Sequence, residues 1–229
     1  MKILYEDNHI IAVNKSNSEI VQGDKTGDTP LSDLVKAYIK ENYAKQGEVF
    51  IGVPHRLDRP VSGVVLFART SKALERLNEM FRMQQLKKTY WAIVKNSPPT
   101  PENRLENFLL RNEKQNKSYV CAENQKNAKK AILNYQIISK SDNYYLLEIE
   151  LETGRHHQIR AQLAAIGCPI KGDLKYGSPR SNPDGGISLH ARKVEFTHPV
   201  SKTHIEIVAP TPEKEKLWAI LAENISTFL

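Results

Sequence analysis

Residues 63–68, Gly-Val-Val-Leu-Phe-Ala, are apolar at every position. A run this short and uniform reads as a strand buried on both faces, so the chain must cover it from two sides. Two windows of helical period can supply that cover. Leu31, Leu34, Val35, Tyr38 and Ile39 share one helix face, behind Thr29 as a candidate N-cap and Pro30 at the first helical position. Leu74, Leu77, Met80 and Phe81 do the same behind Thr70 or Ser71. Further strands are expected in KILY and IIAVNK across the turn EDNH, in KKTYWAIV, in SYVC, in the hairpin AILNYQII–YYLLEIELE, and in ISLHARKVEF and HIEIVAP. Two more helices are expected, one from near His156 to a glycine cap at Gly167 and one from Glu213 to Phe228. Leu105 to Lys130 is polar and lysine-rich, with SYVC as its one strand candidate and ENQKNAKK as an exposed loop. Strands and helices mix without a steady strand–helix–strand alternation. The expected class is therefore α+β, a mixed, mainly antiparallel sheet in two lobes flanked by helices and loops. Residues 1–229 read as a single domain, and the Pro-rich loop Ser97–Asn103 is the best boundary between lobes.

Charge narrows the partners. Lys and Arg number 33 against 26 Asp and Glu, a net charge of +7. Such an excess suggests a polyanion such as RNA, against the plainer reading of a solvated basic surface. Cys121 and Cys168 make no disulfide framework and have no neighbours at metal spacing. The N-terminus lacks the basic and apolar regions of a signal peptide, and no window approaches 18 apolar residues. A reduced cytoplasmic setting with no membrane partner is expected. Walker, G-x-G-x-x-G, G-x-S-x-G and H-E-x-x-H patterns are all absent from the sequence, so nothing points to a nucleotide cofactor, a serine hydrolase or a zinc protease.

Three stretches hold side chains that could do chemistry. In PHRLDRPVSG, Asp58 lies among His55, Arg56 and Arg59, just before the buried strand. A carboxylate beside a guanidinium stays ionised and can act as nucleophile or base, although an Asp–Arg pair at a turn is an equally ordinary structural device. In TGRHHQIRAQLAAIG, Arg155 opens a helix and Arg160 sits on its body. His156 and His157 are adjacent, so they should point to different faces and cannot chelate one metal. KGDLKYG follows as a Gly-hinged basic loop carrying Lys171 and Lys175, suited to phosphate contacts or simply to the surface. Tyr90, within KKTYWAIV, is either a core tyrosine or a ring offered to a nucleobase.

Taken together and in order, HRLDRPVSGVVLFA, KKTYWAIV, LETGRHHQIRAQLAAIGCPIKGDLKYG and SLHARKVEFTHP closely resemble the RluA-like pseudouridine synthases, and ILYEDNHIIAVNK is similar to that family's first hairpin. The resemblance spans nearly the whole chain. It implies isomerisation of uridine to pseudouridine in ribosomal or transfer RNA without metal or organic cofactor. The target base is flipped, its glycosidic bond is broken and the uracil is rejoined through carbon. It places the catalytic aspartate at Asp58, the family tyrosine at Tyr90, and at Arg160 the arginine that relatives pair with the aspartate. Arg56 falls where relatives displace the target base, and Leu189 where an apolar residue meets the flipped uracil. His55, Arg155, Lys171 and Lys175 complete the expected RNA contacts. Whether Asp58 attacks the anomeric carbon or removes the C2′ proton is left open.

Some positions depart from the family pattern. Val61 replaces the Thr of the LDxxTSG turn, Gln162 stands where His is common, and NKSNSEIV replaces NKPxGxxV. The chain is also expected to lack an S4 RNA-binding module and to be a monomer. Two rival functions remain from the residues alone: an RNA-binding or ribosome-assembly factor without catalysis, and a hydrolase using Asp58 as nucleophile.

Overall fold

A computed structural model describes residues 1–225. The fold is α+β, with mixed, mostly antiparallel sheet and, among the described residues, four α-helices. The chain divides into two compact units, Met1–Lys87 with Ala191–Pro210, and Lys88–His190 with Thr211–Leu229. The first crossing is therefore at Lys87, and the Pro-rich loop 97–103 lies inside the second unit. That loop is tied there because Ile137 N–H donates to Pro101 O at 2.7 Å and the Tyr135 hydroxyl donates to Thr100 O at 3.2 Å.

In the first unit the strand order is β1 (Lys2–Glu6), β2 (Ile10–Lys15), β3 (Ser62–Ala68), β9 (Leu189–Thr197, from Ala191 on), β10 (His204–Val208). All seven residues of β3 are buried, as its uniform apolarity requires. Alternation sends Val64, Leu66 and Ala68 into one cluster with Ile10 and Ala12 of β2. Helix α2 (Ser71–Arg82) covers that cluster with Ala73, Leu77 and Met80. Each such side chain contributes about 1.5–3 kcal/mol for its buried apolar area, less for the alanines. Thr70 caps α2, its side chain accepting from Ala73 N–H at 3.1 Å, a contact typically worth about 1 kcal/mol. Helix α1 (Leu31–Asn42) begins one residue later than the pattern suggested, with Pro30 as its N-cap. Its first two amides are taken by Ile20 O and Val21 O, so the preceding loop replaces the expected Thr29 cap.

The second unit has the order β4 (Lys87–Val94), β8 (Tyr145–Leu151), β7 (Lys129–Lys140), β5 (Glu102–Asn112), β6 (Lys117–Cys121). Strand β5 was not visible in the sequence, because only Leu105 and Leu109 mark its buried side. Apart from Phe108 and Leu110 the rest of its length is polar, and it is held by pairing to β6 and β7. Helix α3 (Gln158–Ala165) packs Ala161 against Leu109 and Ala131. It ends as expected at Gly167, φ 78°, where Gly167 N–H donates to Ala164 O and Cys168 N–H to Leu163 O. Helix α4 (Lys216–Glu223) begins three residues after the expected Glu213, and the expected end at Phe228 lies outside the described residues. Trp218 and Leu221 of α4 pack on Trp91, Ile93, Ile138 and Leu146, on the opposite side of β4 from Tyr90.

Gly63 lies two residues after the Asp58–Val61 turn and cannot carry a side chain. Its φ is 116°, and a β-carbon would lie 2.3 Å from Ala191 O and 2.5 Å from Ala191 N. Backbone surrounds it, so nothing flexible can yield. Gly63→Ala is expected to cost about 3 kcal/mol or more, lowering Tm by roughly 6–12 °C in a thermal melt.

Candidate active site

The Asp58 turn is held by an ammonium group. Lys15, the last residue of β2, is fully buried, and its Nζ donates to Val61 O at 2.6 Å, Arg59 O at 3.0 Å and Ser16 O at 3.0 Å. The turn is closed from within by Val61 N–H donating to Asp58 O at 3.0 Å. Ser18 N–H adds a second donor to Arg59 O at 3.1 Å. Lys15 and the 16–18 loop therefore grip the backbone of the turn and leave the partly buried Asp58 side chain as what the turn presents. Burial pushes the Lys15 ammonium down to about 8, against the pull of the Glu19 and Asp58 carboxylates.

This geometry explains two of the departures. Val61 is buried and contributes through its backbone N–H and carbonyl, so the missing Thr hydroxyl does not open the turn. Ser18 has φ 71° where the family pattern has glycine, so here a serine accepts a left-handed conformation to keep its amide on Arg59 O.

The three cations that neighbour Asp58 in sequence have separate tasks. Arg59 turns to the 24–28 loop, with Nη2 2.7 Å from Asp28 Oδ2, 3.6 Å from Asp24 Oδ2 and 2.7 Å from Thr26 Oγ1. His55 accepts from Leu66 N–H at Nε2, 2.8 Å, and stacks on Phe81 with ring centroids 4.7 Å apart. It thereby ties the segment before the turn to β3 and α2. Arg56 is exposed.

In the second unit Arg160 is buried in a network the sequence did not reveal. Its Nε donates to Asp173 Oδ2 at 2.7 Å and its Nη2 to Asp173 Oδ1 at 2.9 Å, a bidentate pair in which both side chains are almost wholly buried. The guanidinium lies 5.0 Å from the Tyr176 ring centroid. Its Nη1 is 3.0 Å from His157 Nε2. A guanidinium only donates, so Nε2 accepts and neutral His157 carries its proton on Nδ1, 3.0 Å from the Tyr176 hydroxyl. That hydroxyl also accepts from Ser118 N–H at 2.8 Å and faces Ser118 O at 3.1 Å. Burial and the Arg160 charge lower the His157 pKa to about 2.

His157 is also the N-cap of α3, with φ 53°. This left-handed turn corrects the expectation that the two histidines diverge: their rings stack, centroids 3.8 Å apart and planes 20° apart. Gln162, fully buried, donates through Nε2 to Leu105 O, Asn107 Oδ1 and Ala131 O, which gives the residue in place of histidine a packing role between α3 and strands β5 and β7.

The other expected contacts are distributed as follows. Tyr90 is partly buried in β4, paired with Ile149. Leu189 is buried at the start of β9. Arg155 is exposed, and its Nε donates to Lys130 O at 2.9 Å. Lys171 pairs with Glu215, at the start of α4, at 2.5 Å and donates to Asn182 Oδ1 at 2.7 Å, so its charge is met within the protein. Lys175 is exposed, its Nζ reaching Asn116 O at 3.1 Å.

Residues 9–165 match the family model described as RNA pseudouridylate synthase. The chain belongs to the RNA pseudouridylate synthase family. It is 32% identical to ribosomal large subunit pseudouridine synthase D of Xylella fastidiosa, over all of this chain and 71% of that protein. It is 28% identical to tRNA pseudouridine synthase C of Pectobacterium carotovorum, over 88% of this chain and 56% of that protein. Human RNA pseudouridylate synthase domain containing 4 shares the fold, with a TM-score of 0.81 and 23% identity over 98% of this chain and 93% of that one. The protein is thus an isomerase that makes pseudouridine from uridine in RNA.

Sequence reading missed the supports that Lys15 provides to the Asp58 turn and that Asp173, His157 and Tyr176 provide to Arg160. For Lys15 a signal was present. It follows Ile11 and Val13 at a spacing of two, so a lysine was continuing the buried face of β2.

Two measurements test these networks. Lys15→Met leaves buried carbonyls without their donor and is expected to cost about 2–4 kcal/mol in urea unfolding. It should also lower kcat by roughly 10–100-fold, because the Asp58 turn loses its hold. His157 is neutral in the native state, so between about 6.5 and 2 the unfolded chain binds a proton that the native chain does not. Stability should therefore fall with pH by about 1.4 kcal/mol per unit below 6.5. His157→Gln keeps an acceptor for Arg160 and removes the titration. Its stability between pH 6 and 4 should lack that slope.

Proposed function

We propose that this protein modifies specific uridines in structured ribosomal or transfer RNA, with Asp58 as the catalytic carboxylate. The observation that supports this assignment is the Asp58 turn, held by a fully buried ammonium that donates only to backbone carbonyls. A buried charge is expensive unless satisfied, and here it is used to fix a turn whose side chain stays partly accessible. An ordinary surface salt bridge needs no such support.

The target nucleotide must leave its stack, at a cost of a few kcal/mol. Arg56, exposed and planar at its tip, fills the vacated place by stacking and offsets that cost. Tyr90 stacks on the extruded uracil and can move a proton through its hydroxyl. Asp58 acts on the ribose, and Arg160 is the third catalytic residue of the scheme. Asp173 and His157 hold three of the five Arg160 N–H groups, so the guanidinium plane is fixed before substrate arrives. Leu189 gives the uracil an apolar surface. Arg155 and Lys175, both exposed, contact the backbone, with His55 and Lys171 in supporting positions. No step in this scheme calls for a metal or organic cofactor. We place the protein in the cytoplasm as a monomer, and among the described residues no helix is long and apolar enough to cross a membrane.

Asp58→Asn is the direct test. Pseudouridine formed in total ribosomal and transfer RNA should fall by at least about 10³-fold, with the melting temperature little changed. Normal turnover by this variant would remove Asp58 from the mechanism. RNA binding by the wild-type protein without any turnover would favour the assembly-factor reading, and abasic products would favour hydrolysis.

A further inference from the structure

Lys88 stands two residues before Tyr90 in β4, so both side chains leave the same face of the strand. The register identifies that face. Tyr90 is opposite Ile149, Ile149 is opposite Tyr135, and Leu133, two residues from Tyr135, is opposite Leu105. Helix α3 rests on this side, with Gln162 donating to Leu105 O and Ala131 O and Ala161 packing on Leu109 and Ala131. Lys88, Tyr90 and the helix that bears Arg160 thus share one side of the second unit's sheet. The Lys88 ammonium sits at Gly154, 3.7 Å from where a β-carbon on that glycine would be, beside the turn leading into Arg155 and α3.

Lys88 is partly buried, and burial alone lowers its pKa. Among the described residues no carboxylate or carbonyl partners it. Among the described residues other partly buried or buried cations have partners: Lys171 has Glu215, Lys193 has Glu195, Arg160 has Asp173, Lys15 has three carbonyls, and Lys117 lies over the Tyr119 and Tyr176 rings. A desolvated ammonium without a partner costs stability in the free protein. That cost is recovered if an anion arrives with the substrate, and RNA brings one phosphate with each nucleotide.

We infer that Lys88 is a substrate-binding residue that contacts a backbone phosphate of the RNA at the nucleotide held by Tyr90. The inference rests on the pseudouridine synthase reading of Tyr90 and Arg160. The contact is made equally in the ground and transition states, so it acts on binding and not on the chemical step.

The experiment compares wild type, Lys88→Gln and Lys88→Arg on in vitro transcribed ribosomal and transfer RNA. It measures Kd across a salt series, pseudouridine formation, and Tm. Lys88→Gln should weaken binding on the order of ten-fold and reduce the slope of log K against log salt by about 1. KM should rise with kcat nearly unchanged, Tm should hold or rise, and Lys88→Arg should retain most of the affinity. Wild-type affinity and salt slope in Lys88→Gln would overturn the inference. So would an affinity loss that tracks a fall in Tm, since that marks a structural lysine. If the wild type binds both RNAs without forming pseudouridine, while Lys88→Gln still weakens binding, the phosphate contact stands and the isomerase reading fails.

Discussion

A fully buried ammonium at the end of β2 is the contact on which the Asp58 turn depends. The role proposed for Asp58, acting on one atom of a flipped nucleotide, needs a fixed backbone beneath it. Here the turn has only four residues, Asp58 to Val61, and one of them is a proline that lacks a backbone N–H. Its internal hydrogen bond, Val61 to Asp58, cannot by itself orient the turn against β2. Lys15 supplies the orientation by binding two of the turn's carbonyls together with its own neighbour's. The next constraint lies two residues further along the chain: Gly63 must let the Ala191 backbone approach to a distance no side chain permits. The turn is therefore fixed on one side by an ammonium and on the other by close backbone contact.

The second unit solves a similar problem with a carboxylate. Arg160 on a short helix would be free to rotate about its long side chain. Asp173 takes the guanidinium edge, His157 takes a third donor, and Tyr176 lies against its face. A pair buried this deeply contributes little net stability, and its value lies in holding one geometry. The left-handed φ of His157 belongs to the same solution, since it turns Nε2 toward Arg160 and Nδ1 toward Tyr176.

The sequence made the elements with strong periodicity legible: β3 by its uniform apolarity, α2 by its stripe and Thr70 cap, and α3 by its glycine terminator. It did not reveal β5, whose pairing partners supply what its own pattern lacks. Family motifs named Asp58, Tyr90 and Arg160, but the supports of two of them stayed hidden for a physical reason. Lys15 and Asp173 are charged residues in the interior, and composition treats charge as surface. Asp173 lies 13 residues from Arg160 and is brought to it only by the path of the loop after α3. Lys171 shows the reverse case. It looked like a phosphate contact, and the fold gives it Glu215.

That contrast also decides how the net charge of +7 should be read. Several cations are neutralised at home. Arg104 pairs with Glu106 and Glu152, Arg69 with Glu6, Arg59 with Asp28, and Lys193 with Glu195. A surface of mutual ion pairs gives solubility and a diffuse attraction to RNA, and it does not mark a docking site. The informative cation is one that the fold has desolvated and left for an anion from outside. By that criterion the sheet face carrying Lys88 and Tyr90 says more about where RNA lies than the lysine-rich stretch 114–130. Exposed lysines there keep their hydration and lose little by staying unbound, so their attraction is the part that salt removes first.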